Sequence, residues 1–216
     1  MTPRPQVARR LRRFARDAEA VAAVEFALVL PLMLALYFGA TEVTQFINNS
    51  RKVTLAARTM ADLVSREQDQ VSTSTLQLIV KAAKAVMQPY DASSATFTFK
   101  AIGVYDDAAT QVKVCSGAQV SGSSDPGILS ALPSTTPPVP PDAYKKLGAR
   151  YIQVEVTMTY TPLLGSNFYN ATRLTTLSET IPWPVRNGTQ YSGNGPEVTL
   201  PNGNQAGSRC PATFAG

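Results

Sequence analysis

From Val21 to Thr41 the chain reads VAAVEFALVLPLMLALYFGAT, apolar almost throughout, with one acid, Glu25, near its start. At about 1.5 Å of rise per residue, some twenty helical residues cover the roughly 30 Å of a bilayer's hydrocarbon core, whereas a soluble helix shows polar residues at every turn. The stretch predicts a single transmembrane helix; the alternative is a fully buried helix of a large globular domain. After Thr41 the apolar positions become spaced. Val43, Phe46, Ile47, Ser50, Val53, Ala57, Met60, Ala61 and Val64 recur at three and four residues, which is one face of a helix. The spanning helix is therefore expected to continue as an amphipathic stalk to about Arg66, unless it breaks at Gly39 or at Asn48-Asn49-Ser50, residues of modest helix propensity.

Residues 67–73 are polar, and Ser74-Thr75-Leu76-Gln77 fits a capping box that opens a second helix. Leu76, Ile79, Val80, Ala83 and Met87 share one face, expected to pack on the first helix, and Pro89 ends the pattern near Gln88. From Ala95 the period changes to two. Ala95, Phe97, Phe99 and Ala101 alternate with polar residues, then Ile102 and Val104 shift phase as a bulge would produce. Val112 and Val114 predict a short partner strand across the Asp106-Asp107 turn. Residues 116–142, rich in Ser, Gly and Pro with five prolines from Pro133 to Pro141, predict a long loop. Ile152, Val154, Val156, Met158 and Tyr160 alternate with Gln153, Glu155, Thr157 and Thr159, a strand with one core face and one wet face. Leu177, Ile181 and Trp183 offer a fourth strand, stopped by Pro182 and Pro184, and the tail from Asn187 reads as irregular. The whole predicts an α+β chain with four regions: a leader over 1–20, a transmembrane helix over 21–41, a stalk and second helix over 42–88, and a small antiparallel sheet domain over 95–216.

Charge sharpens the first of these regions. Residues 1–20 hold Arg4, Arg9, Arg10, Arg12, Arg13 and Arg16 against Asp17 and Glu19, so +4 of the chain's +5 sits beside the apolar segment. That is where the positive-inside rule looks, and it is expected to hold the N-terminus in the cytoplasm and send the rest across. A nucleic-acid role loses its main support, because such proteins concentrate Lys and Arg on the binding domain. A removable signal peptide would need small residues at alternate positions after the apolar run. Phe38-Gly39-Ala40 puts Phe where a small side chain belongs, so the segment is expected to stay.

Ala20-Val21-Ala22-Ala23-Val24-Glu25-Phe26-Ala27-Leu28-Val29-Leu30-Pro31 resembles the N-terminus of TadE-like proteins, minor pilins or pseudopilins of the Tad (Flp) branch of type IV pili. The resemblance covers about residues 20–66. It implies a pilin-like lollipop, cut by a prepilin peptidase between Ala20 and Val21, with Ala20 standing where the family more often has Gly. Glu25 and Phe26 then become the fifth and sixth residues of the mature protein. Related pilins are thought to use this Glu to meet the N-terminal ammonium of a neighbouring subunit. The implied partners are other pilin or pseudopilin subunits, the peptidase, the inner-membrane assembly platform and the membrane itself, and the implied role is pilus initiation or assembly and surface adhesion. The implied location is the bacterial inner membrane, single-pass, with the C-terminal domain periplasmic. Glu25→Gln is expected to stop assembly, and Glu42→Gln, just beyond the span, to have little effect.

Catalytic chemistry is sparse. There is no histidine and there are two cysteines, so the commonest general base and the usual four-ligand zinc site are missing. No enzyme activity and no cofactor are expected. Asp91-Ala92-Ser93-Ser94-Ala95 comes near the metal-binding Asp-x-Ser-x-Ser motif of longer TadG-like relatives but ends in Ala. Asp106 and Asp107 could touch calcium, although adjacent acids in a turn are usually just solvated. Cys115 and Cys210 both fall in the part expected outside the cytoplasm, where disulfides persist, and are expected to pair. Two other classes stay open: a membrane-anchored periplasmic binding protein or adhesin that does not polymerise, and a tethered enzyme.

Overall fold

The computed structural model describes residues 18–123, 129–162 and 176–214, with side chains from Val21 onward; the leader and the proposed cut's flank before Ala18 lie outside the described residues. The chain divides into two compact units, Met1–Phe46 and Ile47–Gly216, connected through one helix. Helix α1 runs Ala18–Ser65 without interruption, so neither Gly39 nor Asn48-Asn49-Ser50 breaks it. Pro31 lies inside it, removing one backbone donor, as spanning helices tolerate. Thr41 and Thr44 donate their hydroxyls to the Phe38 and Ala40 carbonyls at 2.8 and 2.9 Å, which satisfies both side chains within the helix.

In the second unit the amphipathic pattern of α1 is realised. Val53, Ala56, Ala57, Met60, Ala61 and Val64 are buried on one stripe. Helix α2, Thr73–Met87, buries Leu76, Ile79, Val80, Ala83 and Met87, all five of the residues that its period marks. Its cap is displaced from the sequence expectation. Ser72, not Ser74, is the N-cap: its backbone is extended and its hydroxyl accepts from the Thr75 N–H at 3.0 Å.

Five strands form one antiparallel sheet in the order β3-β2-β1-β4-β5: β1 Thr96–Val104, β2 Val112–Ser121, β3 Ser130–Ala131, β4 Arg150–Thr159 and β5 Thr176–Pro184. The loop expected over 116–142 is thereby shortened. Residues 116–121 complete β2, because Ala118 and Val120 alternate into the buried face opposite Phe99 and Phe97. Gly117 makes this pairing possible, since a Cβ there would lie 2.3 Å from the Phe99 carbonyl oxygen. The expected bulge exists but on the other strand. Ala101 pairs with Ser116 and Ile102 with Val114, so Cys115 is the extra residue.

Phe97, Phe99 and Ala101 point to one face with Ile152, Val154 and Val156, all buried. Lys84 on α2 ties helix to sheet by donating to the Gly122 carbonyl at 2.8 Å. Ile102 and Val104 need no phase shift: they lie on the opposite face, where a second core gathers Val112, Val114 and Tyr151. Leu132 and Tyr144, from the segment that crosses between β3 and β4, pack against that core, and Tyr144 stacks on Tyr151 at 4.5 Å. The wet face expected for β4 is therefore wet only at one end, where Lys100 and Glu155 pair at 3.8 Å; Gln153 is buried. Pro182 and Pro184 do not stop β5 but belong to it, as an outermost strand allows.

Candidate functional site

The first site is the start of α1. Val21, Val24, Phe26, Leu28, Leu32, Met33 and Leu36 are all roughly half or more exposed. No helix of a water-soluble core leaves such a run uncovered, so the alternative of a buried globular helix fails, and the segment is long and apolar enough to cross a membrane. Glu25 is exposed within this surface, one helical turn from Val21 and on the same face. Among the described residues no side chain bonds to it. Ala20 is helical in its backbone, so the Ala20-Val21 bond enters the helix directly. A carboxylate here can do one thing at low cost, which is to meet a cation brought by another molecule or by the lipid surface. Glu42 does not behave as the sequence implies. It is buried, 7% exposed, and has interaction partners, so it is no neutral comparison for Glu25.

The second site lies in the sheet domain and was not legible beforehand. Arg150, the first residue of β4, donates from Nε to Glu197 Oε2 at 3.2 Å, with both side chains almost free of solvent at 2% and 6% exposure. Its Nη1 donates to the carbonyls of Val104 and Ala149 at 3.4 and 3.2 Å, and its Nη2 to Ser192 Oγ at 3.4 Å. The guanidinium lies 4.8 Å over the Tyr105 ring. Gly103 leaves the room: a Cβ there would come within 3.0 Å of Arg150 Nη1 and 3.1 Å of Cys210 Sγ. Burial pushes the Glu197 carboxyl up from its ordinary value, and Arg150 pulls it back down. Burial likewise raises the Tyr105 phenol, and takes that of Tyr151 to about 12.

Beside this pair, Cys115 and Cys210 are joined in a disulfide with Cα atoms 4.9 Å apart, the pairing expected from the sequence. It clips the C-terminal segment to the bulge of β2. In the chain-entropy picture, a link across 95 residues restrains the unfolded chain by about 4 to 5 kcal/mol. The tail from Asn187 to Phe214 is irregular, as expected, and is nevertheless tied down. Val198 and Leu200 are buried, Thr199 pairs with Gln70, and Leu200 donates its N–H to Ser116 Oγ at 3.0 Å.

The acids considered for calcium are occupied with the backbone. Asp106 accepts from the N–H groups of Thr110 and Gln111 at 3.2 and 3.0 Å and from the Thr110 hydroxyl at 2.5 Å, while Asp107 accepts from the Leu147 N–H at 2.8 Å. Asp91 closes its own turn, accepting from the Ser93 N–H and hydroxyl at 2.8 and 2.6 Å. Hydrogen bonds from Thr110 and Gln111 hold the Asp106 carboxyl below its ordinary value. A lowered carboxyl stabilises the fold above the unfolded pKa and loses that contribution as pH falls through the folded one. Asp106→Asn is therefore expected to flatten the decline of the melting temperature below about pH 4, as read by thermal scans across pH 5 to 2. An unchanged slope would remove Asp106 from the acid response.

Residues 20–62 match the family model described as TadE-like protein. The match begins at Ala20, takes in Val21, Glu25 and Phe26, and ends at Asp62, three residues before α1 does. No curated protein and no solved structure matches the chain.

Proposed function

We propose, with the TadE-like match over residues 20–62 as premise, that this chain is a minor pilin or pseudopilin of a Tad (Flp) type IV pilus, taking part in pilus initiation or assembly and in surface adhesion. The observation that carries this reading is the coincidence of the match with an uncovered apolar helix whose lone acid stands five residues after a candidate cut. The basic leader holds the Ala20-Val21 bond in the cytoplasm, where a prepilin peptidase reaches it. The helix then holds the processed subunit in the inner membrane, with the sheet domain on the periplasmic side and other pilin subunits and the assembly platform as partners. The protein is a structural subunit rather than an enzyme: it has no histidine, Asp91 and Asp106 are committed to their own turns, and Asp107 holds the Leu147 N–H.

Intact mass and N-terminal sequencing of the membrane-purified protein test this directly. The expected result is a mature chain beginning VAAVEF, with the apolar segment retained, and an uncut chain in a strain lacking the peptidase. An intact Met1 in cells with active peptidase would exclude the pilin reading and leave a membrane-anchored binding protein; a start after Ala40 would exclude both, because the apolar segment would be gone.

A further inference from the structure

Between the disulfide and the buried ion pair the sheet domain leaves a small, partly open cavity of about 10 Å³ for the centre of a water-sized sphere, lined among others by Cys115, Ser116, Arg150, Glu197, Thr199 and Cys210. Three of the lining residues, Tyr151, Glu197 and Thr199, carry a buried polar atom without a hydrogen-bond partner, and the last two are near neighbours along the chain. Glu197 uses Oε2 on Arg150 and leaves Oε1 unbonded, and Thr199 Oγ1 is also unbonded. The residues are 4% exposed each and two apart on an extended stretch, so their side chains leave the backbone on the same side. Leaving a buried carboxylate oxygen unpaired is costly, more so when it is charged, so such atoms in native proteins find a donor.

We infer that this cavity is a binding site for one internal water molecule, which donates to Glu197 Oε1 and bonds to Thr199 Oγ1. The chemistry selects water. The space holds a single molecule of that size, and the site presents an anionic acceptor beside a hydroxyl that both donates and accepts. A monovalent cation is disfavoured, because Arg150 already neutralises Glu197. The water completes the carboxylate's hydrogen bonds and fastens the 197–200 stretch to the sheet at the place where the disulfide anchors the same segment.

A crystal structure of the full chain in detergent, at a resolution that orders internal waters, tests this. The expected result is a single spherical peak about 2.6 to 3.2 Å from both Glu197 Oε1 and Thr199 Oγ1. A cavity without density, or Oε1 turned onto a protein donor such as Arg209, overturns the assignment. Thr199→Val keeps the shape and removes the hydroxyl; it is expected to lose the peak while Arg150–Glu197 and Cys115–Cys210 stay in place, and Thr199→Ser to keep it. A peak at full occupancy in Thr199→Val overturns the bridging role. Should the valine variant not fold, the wild-type density still decides.

Discussion

On the pilin reading, cells whose only copy carries Glu25→Gln are expected to insert and cleave the protein normally but to assemble no pili. The amide keeps the size and the helix and removes only the charge. A carboxylate within a spanning helix costs up to about 3 kcal/mol, less near the interface, and the cost is offset when an ammonium meets it at low dielectric. After cleavage the new N-terminus lies one turn from Glu25, so a neighbouring subunit presenting its own N-terminus brings such an ammonium to the right depth. Electron microscopy of surface pili, with blotting for the processed protein in the membrane fraction, checks both halves. Glu25→Asp, which keeps the charge on a shorter stem, should restore part of the piliation. Normal piliation with Glu25→Gln would show that the charge takes no part in docking.

Removing the guanidinium from the buried pair will have the largest effect on the sheet domain. Arg150→Met leaves Glu197 buried without its partner, and such a break costs about 3 to 5 kcal/mol, a large share of a total stability of about 5 to 15 kcal/mol. The double variant Arg150→Met, Glu197→Leu should recover most of it, because no charge then remains inside. Denaturant unfolding in detergent, followed by the lone Trp183, measures both. The sign of the pH response separates this cause from lost packing. Without Arg150, burial acts on Glu197 against only the weaker pull of Arg209 and raises its carboxyl further, and a raised carboxyl favours folding below its unfolded value near 4.5 and loses that contribution as pH rises. Arg150→Met should therefore gain stability relative to wild type as pH falls from 7 towards 5. A loss under 1 kcal/mol, or no such gain, would contradict the argument.

How far the chain could be read in advance follows from which forces leave a periodic trace. Helix α1 and strand β4 were legible because burial on one side writes itself as a period of 3.6 or 2. Ser72 was missed as the cap because four hydroxyls stand close together at 72–75, and only backbone geometry decides among them. The second core was missed because Ile102, Val104 and Tyr151 sit at positions that alternation assigns to solvent, and what covers them, Leu132 and Tyr144, comes from a segment that reads as loop. Arg150 and Glu197 lie 47 residues apart in stretches with no shared pattern, so nothing local announces their meeting. The disulfide was legible from arithmetic, since two cysteines in the part expected outside the cytoplasm have one way to pair within the chain. Ala20, Val21, Glu25 and Phe26 were legible as a motif, and only the exposed acid in an uncovered helix adds a physical reason for it.

The two prolines in β5 have a bearing on life in a crowded membrane. They stand two residues apart, at positions whose backbone nitrogens face the same way, and the inner side of β5 is in register with β4 along its whole length from Tyr151 to Thr159. The missing donors therefore fall on the outer side. A neighbouring copy that presented an extended segment to this edge would find no N–H at Pro182 or Pro184, and pairing would stall after a few residues. On the pilin reading, copies held side by side in a membrane would thus be kept from joining sheet to sheet.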